Sequence, residues 1–456
     1  MCPAREGVTV APVTSDHVRA GGAASGGAAP PPRAVAALLV DRTFGPWFWG
    51  NLASNTGNWL YNVVAAVVVF DLTGSALMVG TVSVAQFATL AVVSPWAGAL
   101  SDRIDRKRML LAAQTFAFAS ASALAVASLL LGVEGLPGAW PIIVATLGIG
   151  VGVAFTGPAQ QALVPALVED ADLESAVTLT SLTFNVGRAL GPGAAGVILA
   201  TVGPEVAFAV NAVTFVALLA ALLAIRPRAR APHDPDADRS VRAGLRHLRH
   251  DPAVPWLLGG VAAMGFATDP INTLAPPLAA ELGAGGDLVA VLVSAFGVGA
   301  ALTALIAGRL QRGLGRLRTG ALGGGLLAAG LLVAAIALAP WVAVGGFGVM
   351  GVGFVLGLTS LTTVLQRRVP DELRGRIMAL WTVAFLGNRP IAALIDGALA
   401  DWVGPRLAMG VPMLVALLGG WAALRLRAQG VEPRTAEDPD PGAAPSPGNR
   451  ARDEDA

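Results

Sequence analysis

The stretch Gly98 to Leu110 reads GALSDRIDRKRML, and it decides how the chain must be arranged. An apolar run ends at Leu100, a block of charge follows, and a second apolar run opens at Met109. Asp102, Arg103, Asp105, Arg106, Lys107 and Arg108 cannot rest in hydrocarbon, where a charge near the bilayer centre costs several kcal/mol. They must form a tight hairpin at a membrane face, and the four cations mark that face as cytoplasmic.

The composition agrees with a membrane hairpin. The chain is 54% hydrophobic and only 13% charged, about half the charge content of a soluble domain, with the charges in blocks between long apolar runs. This describes a polytopic membrane protein and excludes a water-soluble globule of this length. A net charge of +1 offers no basic excess for nucleic acid. Cys2 is the single cysteine, and His17, His233, His247 and His250 all lie outside the apolar runs. Disulfides within the chain, a metal cluster, a cofactor and an intramembrane histidine relay are therefore not expected. No basic segment leads into a short apolar one near the start, so no cleaved signal peptide is expected. No nucleophile and base stand together on a suitable element, so the chain does not read as an enzyme.

Outward from the hairpin, apolar segments fall at roughly 46–70, 75–100, 109–132, 139–162, 174–201 and 204–226. Six more fall at roughly 253–281, 287–311, 318–339, 341–366, 374–402 and 405–427. Each is long enough for the ~20 residues of a spanning helix. The expected organisation is a disordered tail over 1–45, a six-helix bundle over 46–226, a linker over 227–252, a second bundle over 253–428 and a disordered tail over 429–456. With both termini inside, the cytoplasmic loops hold nearly every loop arginine, and the external loops hold only Arg406.

The halves also repeat. At an offset of 210, Gly98, Leu100, Arg106 and Arg108 fall on Gly308, Leu310, Arg316 and Arg318. At an offset of 205, Gln161 and Pro165 fall on Gln366 and Pro370. At an offset of 201, Arg188, Gly196, Gly203 and Pro204 fall on Arg389, Gly397, Gly404 and Pro405. A parallel repeat of six helices suits a transporter whose site lies between the halves near the midplane.

The hairpin resembles the signature loop between the second and third helices of the major facilitator superfamily, Gly-x-Leu-x-Asp-Arg-x-x-Arg-Arg/Lys. Gly98, Leu100, Asp102, Arg103, Arg106 and Lys107 fall on that pattern. NLASNTGNWL (51–60), FDLTGSALMVG (70–80), FTGPAQQALVPALV (155–168), NVGRALGPGAAG (185–196), Phe296–Leu305 and VPDELRGRIMAL (369–380) resemble one branch of bacterial exporters within it. The likeness runs from about 44 to 427 and implies an all-α integral membrane fold of twelve helices in two pseudo-symmetric six-helix bundles. It also implies that Asp102 latches the halves in the outward-facing state, near the start of the eleventh helix, where Arg374 and Arg376 stand. The alternative is that Asp102 is a solvated topology determinant. Gln160 stands where the family commonly has an arginine, so no charge relay from Asp102 through that position is expected.

Gly187, Gly191, Pro192 and Gly196 form a small-residue ladder with a proline kink inside the fifth span. The ladder resembles the superfamily's antiporter motif, with Ala195 replacing one glycine, and this implies proton-coupled export; a generic kinked packing helix is the other reading. Arg188 and Arg389 each lie about fifteen residues into a span, near the midplane at about 1.5 Å per residue. Charge at that depth needs an anionic partner. Either an anionic substrate meets these arginines, or Arg389 pairs with Asp269 or with Asp396, which is i+7 on its own face. Asp269 precedes Pro270 in a segment also broken by Pro276 and Pro277, and a carboxylate in such an interior is disposed to exchange protons. Asp71 and Glu205 sit at external helix ends and read as solvated.

Asn51, Asn55, Asn58 and Asn62 stripe one face of the first span. With Trp59, Gln86, Asn185, Asn272 and Asn388 they line a cavity for a mixed polar and aromatic solute, or else hydrogen-bond between helices. The expected function is proton-coupled export of a small amphipathic molecule (a siderophore, antibiotic or other drug-like metabolite) by a monomer in the bacterial cytoplasmic membrane. An uptake permease or facilitator, and a non-transporting receptor or assembly protein on the same fold, are the alternatives.

Overall fold

The computed structural model describes residues 35–101, 104–225 and 251–431. Asp102 and Arg103 of the signature loop, the arginine-rich stretch 226–250 and the tail residues 1–34 and 432–456 lie outside the described residues, while within the first tail's expected bounds Val35–Leu39 is helical and Leu38 is buried.

After a short helix, Val35–Leu39, the first six rods are α1 (Phe44–Thr73), α2 (Ala76–Ser101), α3 (Arg106–Leu131), α4 (Trp140–Leu167), α5 (Leu173–Thr201) and α6 (Pro204–Ala224). The second six begin with α7, built of Ala253–Ala267, Pro270–Thr273 and Ala275–Glu281. They continue with α8 (Gly286–Leu314), α9 (Arg316–Ala335) and α10 (Pro340–Arg368). Then come α11, as Asp371–Leu386 and Arg389–Val403, and α12, as Pro405–Ala408 and Gly410–Ala428.

Among the described residues, nine stretches are long and apolar enough to cross a membrane, and they come from every rod except α1, α5 and α7. The three exceptions are those in which apolarity yields to polar groups or breaks. α1 carries the asparagine stripe, and α5 carries Arg188 among threonines. α7 loses backbone donors at Pro270, Pro276 and Pro277 and stops being one helix. Three of twelve expected apolar spans are thus interrupted where polar groups enter the bundle.

α1 packs on α5 and α6, α4 on α2 and α3, α10 on α8 and α9, and α12 on α7 and α9. Two seams join the sets of six: α2 against α11, and α5 against α8. Under the sequence repeat α2 corresponds to α8 and α5 to α11, so the seams are one contact seen from either half. The repeat reaches the backbone, since Gly203 and Gly404 open α6 and α12 in the same left-handed turn, at φ +89° and +87°, each just ahead of a proline.

Small residues close both seams. A methyl on Gly397 of α11 would lie 2.7 Å from the Ala76 carbonyl oxygen of α2, and one on Gly196 of α5 would lie 2.7 Å from Ala290 Cβ of α8. The α2–α11 seam has a polar fastening as well. The Asp401 carboxylate accepts from the backbone N–H of Ala76 at 2.6 Å and of Leu77 at 3.2 Å, and from Ser75 Oγ at 2.5 Å. An acid from one half thereby caps the N-terminus of a helix in the other, where orphan amides and the positive helix end both favour it.

Charges pin the remaining ends. Lys107 Nζ donates to the Leu223 and Ile225 carbonyls at the C-terminus of α6, at 3.3 and 2.6 Å. Arg406 joins Glu281 to the Ala335 and Ala337 carbonyls. Arg368 grips Asp251 with two nitrogens.

Candidate functional site

The two mid-span arginines are surrounded by rings. The Arg188 guanidinium carbon lies 4.9 Å from the ring centroids of both Phe296 and Phe354, and 5.9 Å from Trp59. That of Arg389 lies 4.4 Å from Phe87 and 5.9 Å from Phe385. Each therefore reaches across a seam onto a phenylalanine of the other half, Arg188 of α5 onto Phe296 of α8 and Arg389 of α11 onto Phe87 of α2. The rings continue from one to the next: Phe184 on Trp59, Phe296 on Phe354, Phe354 on Phe385 and Phe385 on Trp381, at centroid distances of 5.1 to 6.1 Å.

Neither arginine has a carboxylate within ion-pair distance among the described residues. Buried Arg188 Nη2 and Arg389 Nε carry no hydrogen bond, and among the described residues the one hydrogen bond of Arg389 is a long 3.5 Å bond from Nη2 to Thr268 Oγ1. The pairing of Arg389 with Asp269 or Asp396 is thus not a contact, because the guanidinium is drawn over Phe87. Asp269 still acts on Arg389 through its field, as does Arg389 on Arg188.

Both candidate acids are fully buried, at 0% exposure. Asp269 sits where α7 breaks; Oδ2 accepts from Thr273 Oγ1 at 2.6 Å, and Oδ1 has no partner. Asp396 lies in the second piece of α11, one residue from Gly397 at the seam, and neither of its oxygens has a partner.

The asparagine stripe divides. Buried Asn51 donates to Thr183 Oγ1 of α5 at 2.9 Å and accepts from Gln160 Nε2 of α4 at 2.7 Å. Asn55 donates to the Asn51 carbonyl, and the Asn62 side chain accepts from Gln86 Nε2 of α2 at 3.1 Å. The bonds of Asn51 and Asn62 are interhelical fastenings, Gln160 takes part in one of them, and the bond from Asn55 to the Asn51 carbonyl stays within α1. Asn58 Oδ1 is buried without a partner, and Asn388 donates to the Ala262 carbonyl of α7 while its Oδ1 stays unbonded. Asn185 is exposed and bonds back to the Ser181 carbonyl. Asp71 is exposed, whereas Glu205 is half-buried and accepts from the Val133 N–H.

In the α5 ladder, Gly187 abuts Asn55 and Thr56, and Gly191 abuts Trp59 and Thr56, both on α1; Gly196 faces α8. Tight α1–α5 packing brings Trp59 to Arg188. Of the signature loop, Gly98 and Leu100 lie in the last turns of α2, and Arg106 and Lys107 open α3 behind the Asp105 cap, whose carboxylate accepts from the Arg108 N–H at 2.8 Å.

Sequence reasoning missed Phe87, Phe184, Phe296, Phe354, Trp381 and Phe385. A signal existed: Phe184 and Phe385 share the offset of 201 that relates Arg188 to Arg389, each four residues before its arginine.

A polytopic helical chain with an internal repeat, two seams and charged groups buried between its halves has the architecture of a secondary transporter of the major facilitator type. The chain belongs to the transmembrane secretion effector family of that superfamily, whose pattern it matches over residues 34–446. It is similar to the enterobactin exporter EntS of Citrobacter koseri, at 30% identity over 356 residues covering 73% of this chain and 76% of that one. The enterobactin exporter EntS of Escherichia coli O127:H6 is 29% identical over 369 residues, 76% of this chain and 82% of the relative. Among solved structures, a bacterial homologue of the human lysosomal transporter Spinster, inward-facing and unoccupied, aligns with a TM-score of 0.67 at 13% identity. It covers 88% of this chain and 99% of that one. A bacterial homologue of the iron transporter ferroportin, also inward-facing, gives 0.65 at 16% identity, covering 83% and 97%. The protein is a multi-pass membrane transporter for a small molecule.

Proposed function

We propose that the protein exports a small amphipathic molecule with aromatic and anionic parts across the bacterial cytoplasmic membrane, by alternating access, in exchange for protons. The observation that carries this reading is the state of Arg188 and Arg389, which are set among rings, lack a carboxylate partner and keep unmet donors. Buried donors of this kind favour an incoming anion, and the rings give a flat apolar group something to stack on. Asp269 and Asp396 are the acids buried beside this site, and they make a proton the natural coupling ion. Relatives named as exporters of enterobactin support outward transport and make siderophores the first compounds to try.

The working unit is a monomer with both termini cytoplasmic and two bundles, over 46–226 and 253–428, rocking about the seams. In this conformation the seams are fastened at the Asp401 end, which the positive-inside pattern assigns to the outside.

The test is proton movement in everted membrane vesicles holding a pH gradient, with enterobactin, other siderophores and drugs added one at a time. A compound that dissipates the gradient with wild type and not with a Arg188→Ala/Arg389→Ala double variant supports the reading. Labelled solute that equilibrates without moving protons would replace the exporter with a facilitator. No flux for any solute would leave the receptor alternative.

A further inference from the structure

We infer that Asp396 carries a bound proton while the α2–α11 seam is closed, and that Asp269 remains ionised. This deepens the proposed exchange by assigning its proton to one of the two buried acids. Sequence alone favours Asp269, but hydrogen bonding separates the two. Asp269 has what an anion needs: a hydroxyl donor, Thr273 Oγ1 at 2.6 Å, and the field of a guanidinium, Arg389. Asp396 has neither. It is 0% exposed, both oxygens are unbonded, and the ionisable group whose charge bears on it is Asp269, a like charge. A buried carboxylate without a donor or a cation beside it is far less stable than the neutral acid.

Among the described residues, the surroundings offer nothing to reverse this. α2 has no ionisable residue between Ala76 and Ser101. α7 contributes Asp269 and Glu281, and Glu281 is taken by Arg406 at the start of α12. On α11 itself, Arg389 lies over Phe87, and Asp401 is spent on the α2 N-terminus. Asp396 also sits at the closure, since the next residue, Gly397, meets the Ala76 and Leu77 backbone. Parting this seam would let water reach the carboxyl. In the exchange that proton comes from outside: with the seam parted, the carboxylate forms its O–H bond with a proton given up by external hydronium, which is left as water, and the seam then closes on the neutral acid. One acid thereby takes its proton from the outside and holds it in the closed seam.

The experiment is infrared spectroscopy of the full-length protein in lipid nanodiscs at neutral pH, reading the C=O stretch of a protonated carboxylic acid and its downshift in D2O. Wild type should show one such band. Asp396→Asn should remove it, Asp269→Asn should leave it, and Asp396→Glu should move it. Asparagine has the shape of the neutral acid, so Asp396→Asn should purify as a folded monodisperse protein; collapse of that variant counts against the proposal. No band in wild type, or a band lost with Asp269→Asn and kept with Asp396→Asn, overturns it. The vesicle assay reports on proton exchange independently, so a transporter that exchanges protons without this band refutes the assignment and leaves the function standing.

Discussion

Arg188 and Arg389 are held by rings where carboxylates would hold them more tightly. Each cation–π contact is worth about 0.5–2 kcal/mol, while a hydrogen bond to a charged group is worth about 1.5–3 kcal/mol. An entering anion can therefore outbid the rings. Arg188→Ala should weaken binding of the probe 2,3-dihydroxybenzoate by about 10- to 100-fold in isothermal titration, as the loss of one or two charge-assisted bonds requires. Arg188→Lys should recover little, since an ammonium is a point charge that cannot present the planar fork; full recovery would show that charge alone matters. The arginines were legible as charges at mid-span depth, and Asp396 was legible as a face-mate of Arg389. Their partners were not, because which ring or donor stands opposite depends on how neighbouring helices rotate, and no single-helix pattern records that.

At the scale of the element, the break in α7 could be read from three prolines, and the α5 ladder from the spacing of its small residues. Their packing partners could not. Gly191 meets Trp59 and Thr56 of α1, so Gly191→Leu should force α1 and α5 apart at a cost of about 1–3 kcal/mol. A thermal-unfolding midpoint several degrees lower in detergent would register this, and an unchanged midpoint would mean that α5 can shift freely. The Asp401 cap was invisible in the sequence, because an acid near a helix end usually serves its own chain neighbours and not an amide 325 positions away. Removing a cap costs about 0.5–2 kcal/mol. Asp401→Ala should shift the population toward a parted α2–α11 seam, seen as a longer component in the distance distribution between nitroxides on exposed Val202 and Leu407.

For the whole molecule, the repeat and the arginine distribution made twelve spans readable, and the structure adds that three of them give up apolarity to polar groups or breaks. The orientation proposed from the arginine pattern is one that labelling can check. In a Cys2→Ser background, Leu338→Cys, between α9 and α10 and 92% exposed, should react with a membrane-impermeant maleimide in intact cells. Leu314→Cys, at the end of α8, should react only after permeabilisation; the reverse pattern would invert the topology. An exposed ion pair contributes little within the second bundle: Glu281→Gln, which removes the carboxylate from Arg406, should cost under about 1 kcal/mol of stability by thermal shift. Lys107 has a different kind of consequence. It is the one lysine in a chain of thirty arginines, and its ammonium is engaged by the last carbonyls of α6. An amine-acylating reagent thus has a single side chain to modify, and it must first catch that amine away from a helix end. The rate at which the acyl mass accumulates on the peptide that carries Lys107, apart from the terminal α-amine, becomes a clock for fraying at the junction of α3 and α6.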